Sequence, residues 1–155
     1  MNFNYVNTEK NKKKIYNILI VDDDNETAQN FKLILSFRGH NVYVVNDGLK
    51  CITQCKEKIF DIIFLDYHME ELDGAQVAQL VKDDKKRTLI FAYTGDSSTK
   101  AINEFKEAGM NGAIVKPIDI KNIEMLMTKL ENSINLDDKT IKIIAKKTCN
   151  SIIIF

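Results

Sequence analysis

Short apolar runs alternate with longer amphipathic stretches along most of this chain. The runs are Ile18–Val21, Val42–Val45, Ile62–Leu65, Leu89–Tyr93 and Ala113–Val115. A strand such as Ile62–Leu65, with no polar face, must be covered on both sides, which is typical of a parallel sheet. An amphipathic helical pattern follows each run. This order predicts an α/β fold, with a doubly wound five-stranded parallel sheet and helices on both faces.

The helices are predicted from apolar residues at helical spacing and from residues that favour helix ends. Asp24 or Asn25 is expected to cap the first helix, and Gly39 and Gly109 are expected to end the first and the fourth. The expected core-facing residues, helix by helix, are Ala28, Phe31, Ile34 and Leu35; Ile52, Cys55 and Ile59; Ala75, Ala78 and Leu80; Ile102, Phe105 and Ala108; and Ile123, Leu126 or Met127, and Leu130.

A length of 155 residues, 45% of them hydrophobic, predicts one domain with tails. We expect residues 1–14 to be a disordered basic leader and residues 15–133 to be the folded domain. Residues 134–155 are expected to be a C-terminal tail or an extra helix around Ile141. The apolar end, 151–155, leaves three alternatives open: it packs on the domain, contacts a partner, or is the edge of a longer natural chain.

Charge and composition argue against several other classes of protein. Residues 15–133 hold 19 of the 22 acidic side chains but 14 of the 22 basic ones, so a nucleic-acid-binding core is not expected. There is neither an apolar run of membrane-spanning length nor a signal-peptide pattern, which indicates a cytoplasmic protein without membrane insertion. Cys51, Cys55 and Cys149 lack metal-site spacing and are expected to act as small hydrophobes.

Polar side chains follow four of the predicted strands at their carboxyl ends, where ligands of parallel sheets bind. They are Asp22 and Asp23 after the first strand, Asp66 after the third, Thr94 after the fourth and Lys116 after the fifth. Two carboxylates ~4 Å apart repel by about 4 kcal/mol at an effective dielectric constant of about 20. A hard divalent cation relieves this repulsion, and oxygen ligands favour Mg²⁺.

With Lys116 and the Thr94 hydroxyl beside it, Asp66 is equipped to attack phosphorus and to hold the phosphoryl oxygens. The sequence therefore predicts an aspartyl phosphate on Asp66. The excess of acids after the first strand supports a metal site, because one acid suffices to cap a helix. Tyr93, next to Thr94, is expected to serve packing rather than function.

Five motifs, in this order, resemble the receiver (phosphoacceptor) domain of two-component response regulators. They are Ile18–Asp24, the strand that ends on Asp66, Leu72–Gly74, Ala92–Gly95 and Gly109–Ile118. The resemblance covers about residues 15–133. The last motif is most similar to receivers fused to hybrid histidine kinases. The resemblance implies a flavodoxin-like sheet of strand order 2-1-3-4-5.

The resemblance also implies a role for each matching residue. Asp66 would accept a phosphoryl group from a phosphohistidine, with a histidine kinase or a histidine phosphotransfer protein as the donor. Thr94 and Lys116 would bind phosphoryl oxygens, and Gly95 would leave room for the group. The Lys116-Pro117 bond is similar to the family's cis peptide.

A Mg²⁺ site and a limited chemistry are implied as well. Asp23 and Asp66 would bind the ion directly, Asp22 mainly through water, and His68 through its backbone carbonyl. The domain would not be an enzyme: it would phosphorylate itself, hydrolyse the phosphate slowly, and signal to an output partner through a shift near the fourth and fifth strands.

Two positions depart from the family pattern. Ala113 stands where the family usually has an aromatic residue that swings inward when the threonine engages phosphate. We therefore expect the threonine half of the switch to work and the aromatic half to be absent. Glu70 stands where a proline is common after Met69, which favours a looser loop.

Two alternatives belong to other functional classes. An aspartyl-phosphate phosphatase similar to the haloacid dehalogenase group would use Asp22 as nucleophile and Asp24 as acid, but Glu26 occupies a place where that pattern has Thr or Val. The other alternative is a degenerate receiver that takes up no phosphate and acts as a binding module. Multiple turnover of a phosphomonoester would favour the phosphatase, and failure to bind Mg²⁺ would favour the degenerate receiver.

Overall fold

The computed structural model describes residues 13–82, 88–132 and 152–155. Strands and helices alternate within them as predicted, and a short sixth strand follows. The strands are β1 (Asn17–Val21), β2 (Asn41–Val45), β3 (Ile62–Asp66), β4 (Leu89–Thr94), β5 (Gly112–Val115) and β6 (Ile152–Ile154). The helices are α1 (Asn25–Phe37), α2 (Gly48–Glu57), α3 (Gly74–Val81), α4 (Thr99–Glu107) and α5 (Ile120–Glu131).

The sheet has the order β2-β1-β3-β4-β5-β6, which confirms the flavodoxin-like order of the first five strands. These five strands are parallel, and β6 is an additional antiparallel strand on the edge of β5. The order places β1, β3, β4 and β5 side by side. The residues at their carboxyl ends therefore share one edge of the sheet.

Two apolar clusters cover the two faces of the sheet, because consecutive strand residues point to opposite sides. On one face, α1 and α5 pack through residues such as Phe31 and Leu126 against Ile20 and Phe64. On the other face, α2, α3 and α4 pack against the sheet in the second cluster. The buried residues that these helices contribute are Cys51, Val77, Ala78, Ala101 and Phe105. The described helices thus lie on both faces, as predicted.

The helix ends follow the predicted signals, but two expected core positions are wrong. The Asp24 side chain caps α1 by accepting the N–H of Thr27, and Gly39 after α1 has φ +93°. Ile59 is 64% exposed because α2 ends before it, and Phe60 is buried instead. Leu80 is 63% exposed because it lies about 200° around α3 from the buried Ala78.

The end of the chain packs on the domain. β6 pairs with β5, and the N–H of Phe155 donates to the carbonyl of Asn111. Ile152 is buried in the same cluster as α1 and α5, whereas Phe155 packs on the cluster of the opposite face. Ala113, which stands where the family usually has an aromatic residue, pairs with Ile153 of β6 and is fully buried.

Gly112 allows β6 to approach β5 closely. A Cβ atom at this position would lie 2.5 Å from the carbonyl oxygen of Ile153 and 3.2 Å from the ring of Phe91. We expect Gly112→Ala to lower the free energy of unfolding by about 1–3 kcal/mol and to speed hydrogen exchange of the β5 amides. Gly95→Ala is the matched control, since nothing lies within 4 Å of its Cβ. Equal stability of the two variants would contradict the prediction.

A polar cluster around the buried His40 ties the start of β1 to the ends of α1 and α5. The Nδ1 atom of His40 accepts the N–H of Tyr16, and its Nε2 atom lies 2.7 Å from Oε1 of Glu131. Arg38 donates twice to Glu131, and the Lys13 ammonium lies 3.9 Å from the same carboxylate. The neutral imidazole therefore carries its proton on Nε2, and protonation of Nδ1 would break the bond to Tyr16.

This cluster predicts a pH dependence of stability. Burial lowers the pKa of His40, although its bond to Glu131 opposes the shift. The unfolded chain therefore binds the proton first, and stability is lost as pH falls below about 6.5. We expect His40→Asn to remove this component, so the difference in unfolding free energy between the two proteins should shrink from about pH 7.5 to about pH 5.5. Parallel pH profiles would contradict this.

Much of the predicted leader and tail lies outside the described residues. This applies to the leader apart from Lys13 and Lys14, and to the extra helix expected around Ile141. Lys13 is exposed and donates to the carbonyl of Arg38. Among the described residues, none of the helices combines the length and the apolar character that a bilayer crossing requires.

Candidate functional site

The five polar side chains predicted to meet at the carboxyl edge of the sheet lie together there. β3 lies between β1 and β4, so Asp66 at its end is next to the residues that follow β1. Lys116 follows β5, and its backbone N–H donates to the carbonyl of Thr94 at the end of β4. The Lys116-Pro117 peptide is cis, as predicted.

Three carboxylates form the acidic part of the site. Oxygen atoms of Asp22, Asp23 and Asp66 lie within 4.8 Å of one another. Asp22 and Asp66 are buried, whereas Asp23 is exposed at the mouth. Closely spaced carboxylate oxygens without nitrogen or sulfur ligands fit a hard divalent cation such as Mg²⁺. The donor set therefore matches the metal that the sequence predicts.

Lys116 supplies the basic group. Its Nζ lies 3.3 Å from Oδ1 of Asp66 and 3.8 Å from Oδ2 of Asp22. Burial raises the pKa of the Asp66 carboxyl to about 6, while the Lys116 ammonium opposes this shift and the Asp22 carboxylate adds to it. Asp66 is therefore largely ionised at neutral pH.

Thr94 is buried at the end of β4, and its hydroxyl oxygen accepts the N–H of Asp96 at 2.9 Å. This bond orients the hydroxyl group and leaves its proton available to donate to an incoming oxygen. Gly95 has nothing within 4 Å of where a Cβ atom would lie, so the space beside Thr94 is open.

The loop between β3 and α3 forms one side of the site. Gly74 begins α3 and lies close to the end of β3. A Cβ atom on residue 74 would be only 2.7 Å from the carbonyl oxygen of Asp66, so the close approach requires glycine. Tyr67 donates to Glu104 of α4, and its ring packs against Phe105. His68 is exposed, as expected for a residue whose side chain has no assigned role.

Tyr93 is a site residue that the sequence analysis missed. Its ring packs in the core against Phe31, as predicted, but its hydroxyl donates to Oδ2 of Asp22 at 2.8 Å. The Lys116 ammonium also lies 4.2 Å from the centre of its ring. Burial and the bond to Asp22 raise the pKa of Tyr93, so the phenol stays protonated and donates. A tyrosine in a buried strand needs a partner for its hydroxyl, which is the signal that could have revealed this contact.

Together, the fold and the site define a flavodoxin-like α/β domain with an acidic centre facing a lysine. The sequence pattern of the response regulator receiver domain matches residues 18–128, and the chain belongs to this family. Its fold resembles the chemotaxis protein CheY4 of Vibrio cholerae, with a TM-score of 0.70 at 24% identity over 74% of this chain and 98% of that one. A CheY-like receiver domain from Methanospirillum hungatei gives a TM-score of 0.71 at 20% identity, over 83% of this chain and 98% of that one.

Curated relatives include regulators and a kinase. The transcriptional regulatory protein ZraR of Escherichia coli is 28% identical over 79% of this chain and 28% of its own length. Transcription factor SKN7 of Saccharomyces cerevisiae is 28% identical over 76% of this chain and 19% of its own. Probable histidine kinase 1 of Oryza sativa is 29% identical over 69% of this chain and 14% of its own. The match thus spans less than a third of each of these relatives.

Proposed function

We propose that this domain works in a phosphorelay by accepting a phosphoryl group from a phosphohistidine onto Asp66 in a Mg²⁺-dependent reaction. The observation that carries the proposal is the position of the Asp66 carboxylate. It lies in a cluster with two other acids, and the Lys116 ammonium is 3.3 Å away. A nucleophile flanked by a cation site and a fixed positive charge is suited to phosphoryl transfer.

The residues of the site divide the reaction between them. A carboxylate oxygen of Asp66 forms a bond to phosphorus as the bond from phosphorus to the donor imidazole breaks, and the electron pair of that bond stays on the imidazole nitrogen. Lys116 and the hydroxyl of Thr94 stabilise the phosphoryl oxygens. The groups that would hold Mg²⁺ are the carboxylates of Asp22, Asp23 and Asp66 and the backbone carbonyl of His68. When bound, the ion would neutralise part of the negative charge of the phosphoryl group.

The geometry disfavours the phosphatase alternative. Both oxygens of Asp22 already accept hydrogen bonds, from the backbone N–H of Asp24 and from the hydroxyl of Tyr93. Asp22 is also fully buried, at 0% exposure, whereas Asp66 keeps 5% of its surface exposed. Asp24, the acid of that scheme, caps α1 instead. These contacts support transfer onto the chain itself over turnover of a substrate.

The test is incubation with a small phosphodonor, with and without Mg²⁺, followed by intact-mass measurement. We expect one phosphoryl group per chain, dependent on Mg²⁺. Multiple turnover of a phosphomonoester without a phosphorylated protein would support the phosphatase instead. Absence of both Mg²⁺ binding and phosphate uptake would support the degenerate receiver.

The donor protein is expected to dock beside Lys116. An apolar groove of about 720 Å³ opens between α1 and the loop from β5 to α5, and Lys116 is one of its lining residues. Its apolar lining includes Leu33 and Ile34 of α1 and Pro117, Ile118 and Ile120. A donor must bring its phosphohistidine to Asp66, and this groove adjoins that site. The groove therefore suits a donor that presents an apolar helix face, either a histidine kinase or a histidine phosphotransfer protein.

Leu33→Glu tests this docking surface, because Leu33 is 64% exposed in the groove. We expect transfer from a phosphorylated histidine phosphotransfer protein that serves the wild type to slow at least about tenfold, while uptake from the small phosphodonor is unchanged. Leu80→Glu is the matched control, because Leu80 is 63% exposed on α3, on the opposite face of the sheet. Equal slowing by both variants would contradict the assignment.

A further inference from the structure

Tyr93 contacts an acidic and a basic group of the site at once. Its hydroxyl donates to Oδ2 of Asp22 at 2.8 Å, and the Lys116 ammonium lies over its ring. Tyr93 and Asp22 are both fully buried, so water does not compete for the bond between them.

The direction of the Asp22 carboxylate depends on this hydroxyl. Oδ1 accepts the backbone N–H of Asp24 at 2.8 Å. Because the donor is a backbone group, this bond does not depend on the side chain of residue 24 or of residue 93. Oδ2 accepts the phenol of Tyr93, a bond that one side-chain atom provides. Oδ2 also lies 3.8 Å from the Lys116 ammonium, whereas Oδ1 keeps a second lone pair that can face a cation or its bound water.

The hydroxyl is held in place before any ion binds. Tyr93 lies in β4, which is paired on both sides, with β3 and with β5. Its ring packs against Phe31 of α1, with the ring centroids 5.6 Å apart. A core aromatic side chain on a central strand has little freedom, so its hydroxyl is a fixed reference point for Asp22.

We propose that Tyr93 is a positioning residue for Mg²⁺, whose hydroxyl holds the Asp22 carboxylate in the orientation that contributes to binding the ion. This role rests on the proposed function, because it presupposes the Mg²⁺ site. Tyr93 acts through Asp22 and is not itself a ligand. Loss of a group that orients a metal ligand typically weakens metal binding 10- to 100-fold.

Tyr93→Phe tests the role, since it keeps the ring against Phe31 and under Lys116 and removes only the hydroxyl. We expect the dissociation constant for Mg²⁺ alone, measured by titration calorimetry, to rise about tenfold. The rate of uptake from a small phosphodonor should fall at low Mg²⁺ and return to within about twofold of the wild type at saturating Mg²⁺. Tyr16→Phe is the matched control, because its buried hydroxyl donates at 2.8 Å to the carbonyl of Leu130, away from the site.

A double-mutant cycle with Asp22→Asn separates positioning from general stability. If Tyr93 acts through Asp22, adding Tyr93→Phe to Asp22→Asn leaves the Mg²⁺ dissociation constant unchanged within about twofold. A Tyr93→Phe protein that binds Mg²⁺ as the wild type does, or a Tyr16→Phe protein weakened equally, would overturn the positioning role and leave the proposed function standing. A wild type that binds no Mg²⁺ would overturn both.

Discussion

Asp66→Asn is expected to abolish phosphate uptake. The amide that replaces the carboxylate is not a nucleophile, so no acyl phosphate can form there, and the site also loses one of its three acids. Intact-mass measurement after incubation with a phosphodonor and Mg²⁺ should show the unmodified chain. Asp61→Asn is the matched control, since Asp61 precedes the same strand at its opposite end and accepts the N–H of Asn17. Uptake by Asp66→Asn equal to that of Asp61→Asn would exclude Asp66 as the acceptor.

The same variant should change stability in a pH-dependent way. Burial in the folded protein raises the pKa of the Asp66 carboxyl from its ordinary 3.8 to about 6. The folded state therefore binds the proton more tightly, and the metal-free wild type loses stability as pH rises from about 4 to about 6. Asp66→Asn lacks this loss and should be more stable above pH 6, by on the order of 2 kcal/mol. Chemical denaturation without Mg²⁺ at both ends of the window measures the difference.

Lys116→Ala is expected to slow phosphate uptake about 100-fold or more, because it removes the positive charge beside the attacking carboxylate. The affinity for Mg²⁺ should increase, because the Lys116 ammonium no longer competes with the ion for Asp22 and Asp66. Parallel measurements of the uptake rate and of the Mg²⁺ dissociation constant separate these two effects. Lys121→Ala, at an exposed lysine of α5, should change neither. Loss of Mg²⁺ binding in Lys116→Ala would contradict the division of roles.

The sheet and the polar edge could be predicted from sequence because they follow from local patterns. Runs such as Ile62–Leu65 are too apolar to have an exposed face, so they predict buried parallel strands. In such a sheet, the residues at the carboxyl ends of the strands share one edge, and Asp66 after β3 and Lys116 after β5 lie 3.3 Å apart there. The strand order itself was implied by the resemblance to receiver domains and not by these local patterns.

The features that escaped prediction depend on contacts between distant parts of the chain. β6 has only three residues, and its pairing depends on the edge of β5 and on the close approach that Gly112 allows. Tyr93 alternates in direction with Thr94 along β4, so its side chain was expected in the core only. The length of a tyrosine lets its hydroxyl reach Asp22 from there.

Ile59 shows the limit of periodicity for helix boundaries. It lies four residues after Cys55, a spacing that suits one helix face. However, α2 ends at Glu57, and the backbone of Lys58 is extended. Phe60 then turns into the core before β3 begins. Ile59 therefore lies exposed in the connection between α2 and β3, although its spacing suits a helix face.

The central claim is that the phosphoryl group is carried by the carboxylate of Asp66, and reductive trapping tests it most directly. Borohydride converts an aspartyl phosphate to homoserine, and peptide mass spectrometry then locates the converted residue. After treatment with a phosphodonor and Mg²⁺, we expect homoserine at position 66 and intact aspartates at positions 22 and 23. Homoserine at position 22 or 23 with Asp66 unchanged would contradict the account.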